Sequence, residues 1–229
     1  MEPIFGKADL HIHSKYSSDA FSSPREILRE ADKKGLDVIA ITDHDTTACF
    51  EEALKISSEF KVKVIKGQEI STKEGHIVGI FIKNEIPSKL SALESMKEIH
   101  RQGGLAIIPH PTNKIPLGIS LKELEGIYRE ADGIETLNSS PLGWLMTTKI
   151  KKMNLEIFHL ALIGGSDAHI SRQIGLGYTA FVGKTPEDLY NSIKNKTTQA
   201  GGMPDFFANL ELILRQPERL IRRIFFKKQ

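Results

Sequence analysis

The sequence predicts an α/β fold. Apolar runs of strand length alternate with helical patterns along most of the 229 residues, as in a sheet interleaved with helices. The runs are apolar at consecutive positions and rich in Ile and Val, as expected of strands covered on both faces in a parallel sheet. No internal repeat or low-complexity tract interrupts the alternation, so one main domain is expected.

The first strand is expected at 7–12. Ser23 then caps a helix with Pro24 at its first position, and Gly35 ends it. After a strand at 36–42, Thr46 or Thr47 caps a helix running to about Glu59. Strands at 63–69 and 76–82 follow, then a helix from Ser91 to Gly103. A strand at 105–109 precedes a helix opened by Ser120 and Glu123, at capping-box spacing. Next come a strand at 133–137, a helix from Pro141 and a strand at 160–164. A strand at 178–182 and a helix from Thr185 to Lys196 close the alternation. Around Gly201-Gly202-Met203-Pro204 the pattern breaks, and 205–228 reads as helix interrupted at Pro217. The expected division is a main domain at 1–197 and a C-terminal basic helical extension at 198–229 packed on it.

Composition narrows the function classes. With 40% hydrophobic and 26% charged residues, disorder, collagen and coiled coil are poor readings. No run approaches the roughly 18 apolar residues of a membrane span, and the N-terminus lacks signal-peptide features. A cytoplasmic location is expected. The single cysteine, Cys49, excludes an internal disulfide and a thiolate zinc cluster. The net charge of +2 is too small to imply nucleic-acid binding, but Arg215, Arg219, Arg222, Arg223, Lys227 and Lys228 make the tail basic.

Histidine carries the functional signal. Asp9-Leu10-His11-Ile12-His13 ends the first strand, where alternation puts Asp9, His11 and His13 on one face. The second ends in Thr42-Asp43-His44-Asp45, and the third in Gln68-Glu69. Further along stand His76, Pro109-His110-Pro111, Glu135 with Asn138, and Ser166-Asp167-Ala168-His169. In parallel α/β folds, sites form at the carboxyl ends of strands. Most of these groups fall there, although His76 lies at a strand start. Singly, each has a plainer reading. Asp43 or Asp45 caps a helix, Glu69 pairs with a lysine, and Gly164-Gly165 makes a turn. Together, so many donors would be costly to bury without cations. His100 and His159 fall outside the pattern and are assigned no role.

These motifs, in this order, resemble those of the PHP family (polymerase and histidinol phosphatase) of metal-dependent phosphoesterases. Asp9 to His13 resembles its first motif, Thr42 to Asp45 its second, Pro109-His110-Pro111 its third and Ser166 to His169 its fourth, over about residues 7–183. The resemblance implies a distorted (β/α)7 TIM-like barrel and a site for up to three divalent metals. One metal would take His11, His13, Glu69 and Asp167. A second would share Glu69 and add His76 and His110, and a third would take Asp19, His44 and His169. Ser17-Ser18-Asp19 is closer to the branch acting on nucleotides and other small phosphate esters than to the histidinol phosphatase branch.

Imidazole and carboxylate donors without thiolate suit Zn, Mn or Fe. Clustered divalent ions make hydroxide available near neutral pH and neutralise phosphate charge. Asp43 is the candidate catalytic residue, orienting a ligand or the nucleophilic water. Arg172 is the candidate substrate-binding residue, its guanidinium suited to a phosphate oxygen or else solvated in a loop. The leading expectation is a phosphoesterase acting on a small-molecule or nucleotide phosphate ester. The alternatives are a non-catalytic PHP regulatory or structural module, and an exonuclease on short oligonucleotides guided by the basic tail. The sequence leaves the oligomeric state open.

Overall fold

The apolar runs assemble into one sheet. The computed structural model describes residues 4–111 and 118–215, with 217, 218, 220 and 222. In chain order the elements are β1 (Phe5–Ile12), α1 (Pro24–Lys33), β2 (Val38–Ile41), α2 (Ala48–Ile56), β3 (Lys63–Ser71) and β4 (His76–Ile80). They continue with α3 (Ala92–Arg101), β5 (Leu105–Ile108), α4 (Leu121–Ile127), β6 (Gly133–Asn138), α5 (Pro141–Met153) and β7 (Ala161–Gly165). The last are β8 (Gly177–Val182), α6 (Pro186–Lys194), β9 (Gln199–Gly202) and α7 (Phe206–Leu214).

Local chemistry starts the helices where the sequence places them. Ser23, Ser91, Ser120 and Thr185 each form a capping box with an acid three residues on. At α2 the Thr46 hydroxyl accepts from the Ala48 N–H at 3.2 Å, while Thr47, the cap residue, makes no such bond.

The strand order is β7-β6-β5-β4-β3-β2-β1-β8-β9. Parallel pairing joins β1 to β2, β2 to β3, β5 to β6 and β6 to β7. The expectation of a parallel sheet fails at β4, which is antiparallel to both β3 and β5. The cause is the short connection after Ser71, where the Thr72 N–H bonds the Gly75 carbonyl at 2.8 Å. A parallel crossover needs a dozen residues or more. β8 is likewise antiparallel to β1 and β9. The sequence break at Gly201-Gly202 is in fact β9, so the sheet runs past residue 197 and the helical part of the tail starts at Phe206. Residues 223–229 of the expected tail helix lie outside the described residues.

The sheet curls into a nearly closed barrel. An isolated parallel bridge joins Ile12, the last residue of β1, to Ala168, just beyond the end of β7. One buried cluster combines Leu10, Ala40, Ile65, Ile80, Ile107, Ile163 and Phe181, from seven different strands. Only a curled sheet can bring those side chains together. Between sheet and helices, Ile27, Leu28 and Ala31 of α1 pack with Ile39 and Ile41 of β2. Met96 and Ile99 of α3 pack with Ile77 and Ile108. Among the described residues, no helix is long and apolar enough to cross a membrane.

Candidate metal centre

The parallel strands end at the same mouth of the barrel, and reversed β4 begins there. His76, at the start of β4, pairs with Ser71 at the end of β3 and so faces Glu69. That resolves the one strand-start histidine of the sequence pattern.

Glu69 is the hub. Its Oε1 lies 2.7 Å from His76 Nδ1 and 3.0 Å from His110 Nε2. Its Oε2 lies 3.0 Å from His44 Nδ1, 3.3 Å from His13 Nε2 and 3.5 Å from His11 Nε2. Asp167 Oδ1 lies 3.6 Å from His11 Nε2 and 3.4 Å from His13 Nε2. Asp19 Oδ2 lies 3.6 Å from His44 Nε2 and 3.5 Å from His169 Nε2. The structure therefore brings all nine donor residues singled out in the sequence into one cluster.

Anchoring at Nδ1 aims three of the rings. His11 Nδ1 lies 2.8 Å from Glu135 Oε1, an acceptor only, so Nδ1 carries a proton and Nε2 is the nitrogen left to face a cation. His169 Nδ1 likewise faces the Asp167 carbonyl at 2.9 Å. Ser17 Oγ donates to Asp43 at 2.8 Å, accepts from the His44 N–H at 3.0 Å and lies 3.4 Å from His13 Nδ1. Asp43 also accepts from the Ser14 N–H and hydroxyl, both at 2.6 Å. It caps no helix; it holds the loop after β1 and, through Ser17, the His13 ring. Asp45 is not a cap either, since it accepts from the Ser71 N–H at 2.7 Å.

Glu135, Asn138 and Asp9 complete the frame. Glu135 Oε2 accepts from the His110 N–H at 2.8 Å and from Asn138 Nδ2 at 2.9 Å. At the sequence level Glu135 and Asn138 stand at a strand end, Asn138 as a candidate to face the pocket and Glu135 without a role. Asp9 precedes a register shift in β1 and accepts from the Ser166 N–H at 3.0 Å and the Gly175 N–H at 2.8 Å. Burial lifts the Asp9 carboxyl to about 6 despite those bonds. Gly165 permits the close packing, because a Cβ there would strike Glu135 Oε1 and His11 Cβ. Gly164-Gly165 is thus strand rather than turn. Asp167 and His110 sit at φ 54° and 26°, in a region unfavourable to side-chain-bearing residues.

The donor set fits divalent cations. His11 Nε2 and His13 Nε2 are buried without a hydrogen-bond partner among the described residues and face the Glu69 and Asp167 carboxylates. Orphaned buried nitrogens are costly, and a cation between them and the carboxylates removes that cost. Donors around a tetrahedral ion with bonds of about 2.1 Å stand about 3.4 Å apart, matching the 3.3–3.6 Å between these nitrogens and oxygens. Electrostatics points the same way. Burial, with His44 and His169 nearby, pushes His13 down to about 3. Burial also opposes charge on His44, yet Glu69 and Asp19 lift it to about 9. For Glu69, burial is outweighed by His76, His44 and His11, which hold the carboxyl well below its usual range. For Asp167, burial is likewise outweighed by neighbouring imidazoles, His11 first, and the carboxyl is held low.

Arg172 is not brought to this cluster. It is exposed, its guanidinium is 5.9 Å from the Phe207 ring centre, and its neighbours include Lys33, Lys34 and Asp205. His100 pairs with Asp132 at 2.7 Å, apart from the site.

The family model described as PHP domain matches residues 9–175. The chain belongs to the PHP family. A PHP-associated model matches residues 154–198. The PHP chain is 44% identical over 145 residues to an uncharacterized protein of Methanocaldococcus jannaschii, covering 58% of this chain and 82% of that one. It is 29% identical over 200 residues to a 5'-3' exoribonuclease of Haemophilus influenzae, covering 86% of this chain and 66% of that one. A solved two-domain protein from Bacteroides vulgatus, containing a predicted PHP-like metal-dependent phosphoesterase, matches with a TM-score of 0.74 at 22% identity. That match covers 88% of this chain and 66% of that one, and shows the barrel fold. At the coarse level, this PHP chain is a metal-dependent phosphoesterase.

Proposed function

We propose that this PHP protein hydrolyses a small-molecule or nucleotide phosphate ester with divalent cations held by His11, His13, Asp19, His44, Glu69, His76, His110, Asp167 and His169. The observation that carries the reading is Glu69, whose two oxygens face separate sets of imidazoles, so that this carboxylate would help to hold more than one cation. The oxygen and imidazole donors suit Zn, Mn or Fe. Such cations supply a water of lowered pKa and positive charge opposite the phosphate. The chain's own residues do the positioning. Glu135 fixes the His11 tautomer, and Asp43, through Ser17, orients His13 and His44. Asp43 is therefore proposed as a positioning residue. Arg172 has no part in the proposal, because its guanidinium lies over Phe207.

A second reading, cleavage of short oligonucleotides, is favoured by the likeness to the exoribonuclease across most of the chain. Substrate length separates the two. Mn2+-loaded protein is screened for phosphate release from nucleoside mono- and bisphosphates and sugar phosphates, and for cleavage of a chromogenic diester and short RNA. Turnover of the small esters is expected. His11→Ala and Asp167→Ala are each expected to lower it at least about a hundredfold with an unchanged circular dichroism spectrum. Turnover surviving both substitutions overturns the proposal, and turnover of RNA alone favours the second reading.

A further inference from the structure

We propose that the C-terminal segment buttresses the Asp19, His44 and His169 trio, with Arg222 as its main positioning residue. The inference rests on reading that trio as a cation site. Asp19 lies in the connection between β1 and α1, which contains no helix or strand. Among the described residues its backbone–backbone bonds include those from the Lys15 N–H to the Ser22 carbonyl, from the Ser17 N–H to the Ser14 carbonyl and from the Phe21 N–H to the His169 carbonyl. Arg222 supplies a further tie. Its Nη2 donates to the Lys15 carbonyl at 2.7 Å and lies 3.4 Å from the Ser17 carbonyl. The Phe21 ring, two residues past Asp19, lies 5.1 Å from the Arg215 guanidinium and 5.5 Å from that of Arg222.

A second limb reaches His169. The His169 N–H donates to Gln173 Oε1 at 3.0 Å, and Gln173 Nε2 donates to Asn209 Oδ1 of α7 at 3.1 Å. Gln173 is buried, so this relay is shielded from solvent. Ser17 closes the triangle, since its hydroxyl accepts from the His44 N–H while its carbonyl faces Arg222. His44 and His169 are thus each two contacts from Arg222 or α7, and Asp19 lies two residues from Phe21, whose ring the Arg215 and Arg222 guanidiniums approach. His11, Glu69 and His76 are instead set by the strands themselves and by Glu135. Ser17 also stands 3.4 Å from His13 Nδ1, so α7 and Arg222 act chiefly, rather than exclusively, on this one cation site.

The test uses the full chain, stripped of metal and titrated with Mn2+ by calorimetry, with bound metal counted after gel filtration. Asp19→Ala marks the equivalent belonging to the trio. Arg222→Ala is expected to weaken that same equivalent about tenfold, the scale of a lost charge-assisted hydrogen bond, and leave the others within about twofold. Arg222→Lys, which keeps a donor, is expected to recover part of the loss, and Asn209→Ala to weaken the same equivalent independently. Circular dichroism checks that each variant is folded, and Asn209→Ala carries the test if Arg222→Ala does not fold. If Asp19→Ala removes an equivalent while the Arg222 and Asn209 variants titrate like wild type, the buttress is overturned. Uniform weakening of every equivalent overturns it as well. If Asp19→Ala changes nothing, it is the cation-site reading that fails.

Discussion

Glu135 shows how much one side chain decides at this site. It accepts the His11 Nδ1–H hydrogen bond with one oxygen and ties the His110 backbone and Asn138 with the other. Glu135→Gln keeps the shape but replaces one acceptor oxygen with a donor. Either His11 loses its anchor, or the amide confronts the His110 N–H and Asn138 Nδ2. Chelator competition is expected to show Mn2+ affinity falling roughly 10–100-fold, the usual cost of losing a partner behind a ligating imidazole. An unchanged affinity would show that His11 is aimed by packing alone. The sequence displays the donors themselves plainly, because His-x-His and Asp-x-His place two ligating types within reach on one segment. Glu135 has no such companion. Its position at a strand end was the available signal, and what marks it as an orienting residue is a contact with a ring 124 positions away.

At the scale of elements, direction was the hidden variable. Apolar runs report that both faces of a strand are covered, and β4 is buried along its whole length whichever way it runs. The connection before it was the readable clue, being far too short for a crossover. β9 was hidden for another reason. Its Gln199-Ala200-Gly201-Gly202 lacks the branched and aromatic side chains that mark strands. Glycine serves close approach there and in β8. A Cβ on Gly177 would meet the carbonyl oxygen and carbon of Gly165, which are backbone and cannot step aside. Gly177→Ala is expected to destabilise the protein by about 1–3 kcal/mol, read from the urea midpoint. Gly126 in α4 has nothing within 4 Å of where its Cβ would stand. Gly126→Ala is expected to be neutral or to stabilise by up to about 1 kcal/mol, since alanine restricts the unfolded chain and favours helix. Equal effects at the two positions would contradict the packing account.

For the whole molecule, the contact that closes the barrel also sets the site. Beyond β7, the Ala168 carbonyl accepts from the His13 N–H at 2.8 Å and the Ala168 N–H donates to the His11 carbonyl at 3.3 Å. The donors His11 and His13 thus share backbone bonds with the residue between Asp167 and His169. Asp9 locks this seam without pointing a carboxylate oxygen at any donor imidazole, since its oxygens accept the backbone N–H groups of Ser166, Gly175 and His11. Asp9→Ala leaves those groups without their carboxylate partner in and beside the seam. Each orphaned group costs about 1–3 kcal/mol, so loss of the three bonds is expected to lower the metal-free unfolding free energy by at least about 3 kcal/mol, read from the urea midpoint. Mn2+ stabilises whatever folded state binds it, by an amount set by free metal and affinity. In wild type, Mn2+ is expected to raise the melting temperature and a chelator to reverse the rise. The same rise should survive in Asp9→Ala, from a lower starting point, because every donor is still present. Loss of the Mn2+-dependent rise in that variant would mean that closure of the barrel and assembly of the cluster are one event, with Asp9 acting on both.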